Sequence, residues 1–153
     1  MTSESSMTSE SQITPDQLIR TWKLVGAVST TASGDRNETP YRANPSGLLT
    51  YSPEGRVIAL ISFGERKPLS MRASTEEKAE AFETFLAYAG RYSLNGNKVT
   101  HQVEISSIQN YVKRDLIRTV SFDGNRMTLT TPPTSISGKT QTIELTWQRL
   151  SED

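Results

Sequence analysis

Residues 93–106, with the sequence SLNGNKVTHQVEIS, predict a β-hairpin turn followed by a strand with one apolar face. Asn95-Gly96 suits a two-residue type I′ turn, because both central residues of that turn need a positive φ and these two tolerate it. The apolar phase of the strand after the turn consists of Val99, His101, Val103 and Ile105. Alternate residues of a strand share a face, so the single histidine of the chain is expected to point toward the core.

A second polar residue occupies the apolar phase of the next predicted strand, residues 114–122. Arg118 alternates there with Leu116 and Val120. A buried cation needs a partner, because removing an unpaired charge from water costs several kcal/mol. Two inward polar groups in one small domain therefore indicate either an internal hydrogen-bond network or a polar anchor for a ligand.

Length and composition restrict the possible classes of protein. A chain of 153 residues fits one domain that buries roughly two-thirds of its unfolded surface. Seventeen basic and seventeen acidic residues balance, which does not favour a nucleic-acid partner or an anionic membrane surface. No apolar run is long enough for a membrane span, and the absence of cysteine fits a cytoplasmic location. With one histidine and no phosphate-binding glycine motif, the chain is expected to use no metal and no other cofactor.

The chain is divided into a tail and a single domain. The sequence MTSES occurs twice within residues 1–11, and this polar stretch predicts a disordered tail over residues 1–14. Residues 15–153 are predicted to form one barrel domain, which opens with a short helical turn over residues 15–19. The loop over residues 33–45 is rich in turn-forming residues and long enough to lie over an opening.

The remaining segments predict an all-β fold with one helix. The expected strands are residues 22–30, 47–51, 56–63, 91–94, 99–106, 114–122, 127–131 and 139–150. Eight antiparallel strands joined mostly by short turns suit an up-and-down β-barrel. The helix is expected over residues 75–89, between strands three and four, because Ser74 and Glu77 have capping-box spacing. Its apolar stripe, Phe82, Phe85, Leu86 and Ala89, is expected to cover the outer face of the third strand.

Several segments together resemble the lipocalin-like domain family of small bacterial and fungal barrels over residues 18–150. They are TWKLV (21–25), GLLTYSPEGR (47–56), EEKAEAFETFLAYAGRY (76–92), VTHQVEIS (99–106), LTTPP (129–133) and LTWQR (145–149). The chain departs from the family pattern at Arg20, where glycine is usual, and at Gln109, where proline is usual. The resemblance implies an eight-stranded barrel with a lumen for a small, largely apolar molecule. Trp22 and Arg149 resemble the lipocalin closure pair, in which an arginine of the last strand stacks on a tryptophan of the first.

The candidate site residues follow from these assignments. The lumen is expected to be lined by Leu24, Val28, Ile61, Tyr92, Val103, Val120, Leu129 and Trp147. His101 and Arg118 are the expected polar anchors, Tyr51 is a further candidate, and Tyr88 is expected to close one barrel end from the helix. Glu104 is expected to face outward, and Asn110 to form a turn rather than bind a ligand.

Three functions fit this site. The leading hypothesis is a protein that binds one small hydrophobic or amphipathic metabolite in the lumen. The alternative is a cofactor-independent cyclase or isomerase acting on a polyketide-like or polyene-like intermediate. In that enzyme, His101 would transfer a proton and Arg118 would hold a carboxylate or enolate oxygen. The third is a filled barrel in which both residues form an internal polar brace. The sequence does not determine the oligomeric state.

Overall fold

In the computed structural model, which describes residues 12–136 and 138–150, the chain forms strands, two α-helices and one 3₁₀ turn. These elements are α1 Pro15–Leu18, β1 Arg20–Thr31, β2 Arg36–Asn37, β3 Ser46–Tyr51, β4 Arg56–Ser62, α2 Thr75–Glu83, β5 Phe85–Asn95, β6 Lys98–Ser106, the 3₁₀ turn Gln109–Tyr111, β7 Asp115–Asp123, β8 Arg126–Thr130, β9 Thr134–Ile136 and β10 Lys139–Arg149. None of the described helices is long and apolar enough to cross a membrane.

The eight long strands close into an antiparallel barrel, as predicted. Their order is β1-β3-β4-β5-β6-β7-β8-β10, and β10 pairs back onto β1 from Trp22–Arg149 to Thr31–Gln141. The β5–β6 turn differs from the predicted type I′. Its central residues are Gly96 and Asn97, between the paired Asn95 and Lys98, and of these two only Gly96 has a positive φ, 65°. Type I′ needs a positive φ at both positions.

The predicted position of the helix is wrong by one strand. Residues 36 and 37, inside the expected loop, pair with Ser29 and Thr30 and form the extra strand β2. Helix α2 therefore follows the fourth strand, not the third. A second unpredicted strand, β9, pairs with the start of β10.

The helix is also shorter than predicted, because it ends at Glu83 instead of residue 89. The hydroxyl of Thr84 donates to the carbonyl of Glu80 at 2.8 Å, and the backbone of residues 85–91 pairs with β4. The expected apolar stripe is thus divided between a helix and a strand. The capping box is present, with the Glu77 amide donating to Ser74 Oγ at 3.1 Å.

Helix α2 does not cover the outer face of β4. None of its residues is buried, and Ile58 and Leu60 of β4 remain 50% and 37% exposed. The predicted packing of a helix on that strand is therefore wrong.

Two β-bulges change which side chains face inward. In β1 the register shifts between Leu24 and Gly26, so Ala27 and Ser29 are buried and the expected lumen residue Val28 is only half-buried. In β6 a bulge opposite Ala89 and Gly90 turns Ile105 outward, where it is 70% exposed. An extra residue in a strand reverses the side-chain alternation beyond it.

The arginine over the Trp22 ring is not the one that was expected. Trp22 and Arg149 are neighbours across the β1–β10 pairing, but Arg149 is exposed. The guanidinium over the Trp22 ring belongs to Arg20, 5.9 Å from the ring centroid, because residues two apart on a strand share a face. The Nε of Arg20 is buried and has no hydrogen-bond partner within the part of the chain that the structure describes.

One end of the barrel is closed by the segment that precedes β1. Leu18 of α1 is fully buried, and its carbonyl accepts from Trp22 Nε1 at 3.0 Å. Ile13, which falls in the predicted tail, donates its amide to the Gly96 carbonyl at 3.0 Å. The rest of the predicted tail, residues 1–11, lies outside the described residues, and the domain boundary stays a prediction.

The opposite end carries a half-buried aromatic layer. Tyr41 stacks on Phe63 with ring centroids 4.5 Å apart, and both rings pack against the core where β4 ends and β5 begins. Tyr111 packs against the core from the 3₁₀ turn between β6 and β7, which lies at the same end of an antiparallel barrel. Arg42 forms an ion pair with Glu80 of α2 at 3.4 Å and so connects the Tyr41 loop to the helix.

Candidate functional site

A buried chain of three polar side chains crosses the barrel interior. His101 Nε2 lies 2.7 Å from the hydroxyl oxygen of Tyr51, and His101 Nδ1 lies 2.6 Å from that of Tyr88. The three residues come from β3, β5 and β6 and are between 1% and 8% exposed. The structure thus confirms the inward direction of His101 and adds two partners for it. It also corrects Tyr88, which lies inside the barrel on a strand and not at the barrel end on a helix.

Gly90 sets the β5–β6 register that positions Tyr88 against His101. It lies at the β5–β6 bulge, where a Cβ atom would collide with the backbone of Gln102. Only glycine permits that close backbone approach. Beyond the bulge, Tyr92 pairs with His101, and Tyr88 reaches the same imidazole from four residues earlier in β5.

Burial keeps all three groups neutral. Desolvation, and then the positive charge of Arg118, lower the pKa of His101 from 6.5 to about 3. Desolvation raises the pKa of Tyr88 to about 12 and that of Tyr51 well above 10. At neutral pH the hydrogen-bonded side chains of Tyr51, His101 and Tyr88 are therefore two neutral phenols and one neutral imidazole.

The two hydrogen bonds to His101 use only one of the two tyrosine hydroxyl protons, so the other hydroxyl remains a free donor. A neutral imidazole has one N–H donor and one acceptor nitrogen, so one tyrosine donates to His101 and the other accepts from it. The accepting tyrosine keeps its own O–H. Within the described part of the chain, neither tyrosine oxygen has a hydrogen-bond partner other than His101.

Arg118 lies near the three hydrogen-bonded side chains but forms no hydrogen bond to them among the described contacts. It is half-buried on the inward phase of β7, next to the buried Val120, and its Nη1 donates to the Ile117 carbonyl at 2.9 Å. Its positive charge lowers the pKa of His101. It also lowers the pKa values of Tyr41, Tyr51 and Tyr88, which partly offsets the increase caused by desolvation. The cation therefore contributes an electrostatic field, and it holds no hydrogen bond to the imidazole among the described contacts.

The other predicted site residues line the same interior. Val103 and Val120 are buried, and Tyr92 is half-buried with its hydroxyl donating to the Ser52 carbonyl at 3.0 Å. The rings of Tyr92 and Tyr51 meet edge to face at 4.9 Å, which supports the position of Tyr51. Trp147 is 1% exposed, and its Nε1 has no hydrogen-bond partner among the described residues.

Two predicted non-site residues are on the surface. Glu104 is exposed and pairs with Arg56 at 2.6 Å and with Arg91 at 3.6 Å. Asn110 is exposed in the 3₁₀ turn. Both positions agree with the expectation that these residues have structural roles.

Two cavities lie outside the barrel interior. One, of about 570 Å³, lies between α2 and residues 65–69, and its charged lining includes Arg42, Arg66 and Glu80. The other, of about 350 Å³, is an apolar groove on the outer sheet face between Leu48, Leu60 and Phe85. None of the predicted lumen residues lines either cavity. Over residues 12–136 and 138–150, no three His, Cys, Asp or Glu side chains form a group that could hold a metal ion.

Comparison with known proteins identifies the family. The lipocalin-like domain family matches residues 20–150. The chain belongs to this family. A relative from Aspergillus oryzae, named 4'-hydroxy-3'-methoxypropiophenone carrier protein ppsC, is 34% identical over 89 residues, which cover 52% of this chain and 80% of the relative. No solved structure matches the chain.

The polar chain of this lipocalin-like domain was only partly visible in its sequence. Strand alternation placed His101 and Arg118 inward, but the helix assigned to residues 75–89 hid the inward direction of Tyr88. A signal was present. Residues 76–81, EEKAEA, are all strong helix formers, whereas Thr84, Phe85, Tyr88 and Gly90 are weak ones, so the residue types favour a helix that ends before Thr84.

Proposed function

We propose that this lipocalin-like barrel binds one small, hydrophobic or amphipathic molecule in its interior, anchored by the Tyr51–His101–Tyr88 chain. The proposal rests on one observation. One of the two tyrosines bonded to His101 keeps a hydroxyl proton without an acceptor among the described residues, inside an interior that is otherwise mostly apolar. A buried polar group without a partner costs about 1–3 kcal/mol, so a ligand that supplies the partner recovers that free energy. The buried N–H of Trp147 adds a second such donor.

The relative supports the same class of ligand. Its name gives its cargo as 4'-hydroxy-3'-methoxypropiophenone, a phenolic aryl ketone with an apolar ring and a few polar atoms. For a ligand of that kind, burying about 250 Å² of apolar surface contributes roughly 6 kcal/mol before the cost of immobilisation. Affinity would come mainly from the apolar interior, and orientation from the polar chain.

The ligand would enter at the end formed by Tyr41, Phe63 and Tyr111. The other end is closed by α1, with Leu18 fully buried and hydrogen-bonded to Trp22. At the Tyr41 end the covering residues are only half-buried, and their loop is held to α2 by an exposed ion pair. An exposed pair of this kind contributes at most about 1 kcal/mol, so the ion pair adds little to the cost of opening the loop.

Binding fits the protonation states better than acid–base catalysis. With a pKa of about 3, His101 holds no extra proton to donate at neutral pH and is a weak base. A net proton transfer along the chain would leave a phenolate at Tyr51, whose pKa burial raises well above 10. The chain is thus suited to directing hydrogen bonds. The cyclase or isomerase alternative, with His101 and Arg118 acting on a carbonyl group, stays a hypothesis.

The test is a calorimetric titration of the protein with 4'-hydroxy-3'-methoxypropiophenone, followed by NMR. We expect saturable one-to-one binding that shifts the imidazole resonances of His101. Chemical shifts confined to Leu48 and Phe85 would place the ligand in the outer groove and contradict the proposal. Absence of binding to this ketone and to other aromatic probes of similar size would contradict it as well.

Variants distinguish a binding protein from an enzyme. Arg118→Met is expected to weaken binding only a few-fold, because the apolar interior supplies most of the affinity. Glu104→Gln is the matched control, since Glu104 lies on the outer surface. If the compound is converted to a new product, and Arg118→Met abolishes the conversion while binding persists, the enzyme alternative replaces the binding proposal.

A further inference from the structure

We infer that Tyr88 donates its hydroxyl proton to the ligand, and that the ligand therefore carries a hydrogen-bond acceptor, a carbonyl oxygen, at that point. This inference rests on the proposed function and specifies the chemistry of the same site. It follows from the direction of the two hydrogen bonds to His101, which the surroundings of the two tyrosines determine.

A free hydroxyl proton on Tyr51 would have no acceptor nearby. Its side chain is 1% exposed and packed against the edge-on ring of Tyr92, whose own hydroxyl is used by the Ser52 carbonyl. An O–H left free at Tyr51 would have no acceptor among the described groups and would be unsatisfied. Tyr88 likewise has no other described partner, but it is the more exposed of the two tyrosines and the one a ligand can reach. We therefore assign the free O–H to Tyr88, and Tyr51 donates to Nε2 of His101.

The direction of the second bond follows from the first. With Nε2 accepting, neutral His101 carries its proton on Nδ1 and donates it to the Tyr88 oxygen at 2.6 Å. Tyr88 then has a free O–H. It is the less buried of the two tyrosines, at 8% exposure.

The surroundings of Tyr88 favour an acceptor over a donor or a cation. Arg118 places a positive charge near Tyr88, and only one of its guanidinium nitrogens has a hydrogen-bond partner in the described structure. Elsewhere in the barrel interior, the Trp147 N–H is a further buried donor without an acceptor among the described groups. A ketone oxygen satisfies such donors, a hydrocarbon satisfies none, and an ammonium group is repelled by Arg118.

The first test compares two ligands of nearly equal shape, propiophenone and propylbenzene, by calorimetric titration. The wild-type protein is expected to bind the ketone about tenfold more tightly, as one neutral hydrogen bond would give. Tyr88→Phe is expected to bring the two affinities within about twofold of each other while the affinity for propylbenzene is kept. Glu104→Gln should retain the wild-type preference.

The outcomes separate this inference from the proposed function. If wild type binds both compounds equally well, the inference is overturned and interior binding stands. If neither compound binds, the proposed function itself fails. If Tyr88→Phe keeps the ketone preference, the donor is another group, such as Trp147, and Tyr88 is wrongly assigned.

A second measurement needs no variant. In ¹⁵N NMR of the wild-type protein, the neutral imidazole of His101 is expected to carry its proton on Nδ1. A proton on Nε2 would reverse both hydrogen bonds, place the free hydroxyl at Tyr51 and overturn the inference even if Tyr88→Phe does not fold.

Discussion

Lowering the pH from about 7.5 to about 5 should destabilise this protein through one residue, His101. The folded state holds the pKa of this histidine at about 3, because the side chain is buried and lies in the field of Arg118, against 6.5 for a solvated histidine. Its other neighbours, Tyr51 and Tyr88, have raised pKa values and do not titrate in this range.

The direction and the size of the effect follow from linkage. Below pH 6.5 the unfolded chain binds a proton at His101 and the folded chain does not, so protons favour unfolding. Each pH unit then lowers the free energy of unfolding by about 1.4 kcal/mol. Down to about pH 5 the loss reaches about 2 kcal/mol, and it continues until the pH falls through the folded-state pKa.

Urea unfolding followed by the fluorescence of Trp22 and Trp147 measures this loss. With an m-value of about 2 kcal/mol/M, the midpoint should fall by about 1 M between the two pH values. In His101→Gln, which cannot titrate, the midpoint should be lower at pH 7.5 but nearly independent of pH over the same range. Glu77→Gln should keep the wild-type dependence, since the pKa of Glu77, about 2, affects stability only at lower pH.

Equal pH dependence of the wild type and His101→Gln would refute the reasoning. It would mean that His101 is solvated or already protonated in the folded state. The neutral hydrogen-bond chain, and the ligand chemistry drawn from it, would then lose their basis.

Three further changes test the fold. Gly90→Ala should prevent normal folding, because its Cβ would collide with the β6 backbone, whereas Gly26→Ala, with open space around its Cβ, should yield soluble protein with a wild-type circular dichroism spectrum. Ser74→Ala removes the N-cap of α2 and should raise amide hydrogen exchange in that helix by the equivalent of about 1 kcal/mol, with no change in ligand affinity. Trp22→Phe should destabilise the protein more than Trp147→Phe in thermal unfolding, because only the Trp22 indole has a hydrogen-bond acceptor.

The barrel could be predicted from the sequence because its strands alternate clearly. The inward positions of His101 and Arg118 and the closing segments at Trp22 and Trp147 depend on local periodicity and on the order of strands along the chain. These are the features that a sequence pattern records most directly. The capping box at Ser74 was likewise visible, since it depends on residue types three positions apart.

The errors occur where tertiary structure overrides local preference. Residues 85–89 fit the helical stripe, yet pairing with β4 makes them a strand, and this error hid the role of Tyr88. The bulges that displace Val28 and expose Ile105 each depend on one extra residue, for which an alternating pattern gives no warning. Tyr51 lies 50 residues before His101, so no local spacing could reveal it as a partner, whereas Tyr88 lies on the adjacent strand β5 and was missed because of the helix assignment.

The pairing of β1 with β10 has a consequence for synthesis and folding. Among the described strands of the barrel, the first and the last, β1 and β10, form the closing seam. Until β10 has left the ribosome, β1 lacks that partner and the apolar side chains of an open, curved sheet remain exposed. Closure needs contacts between the most distant parts of the chain, which slows folding. A nascent chain stalled before β10 is therefore expected to need a chaperone, and ligand loading should begin only after β10 has been made.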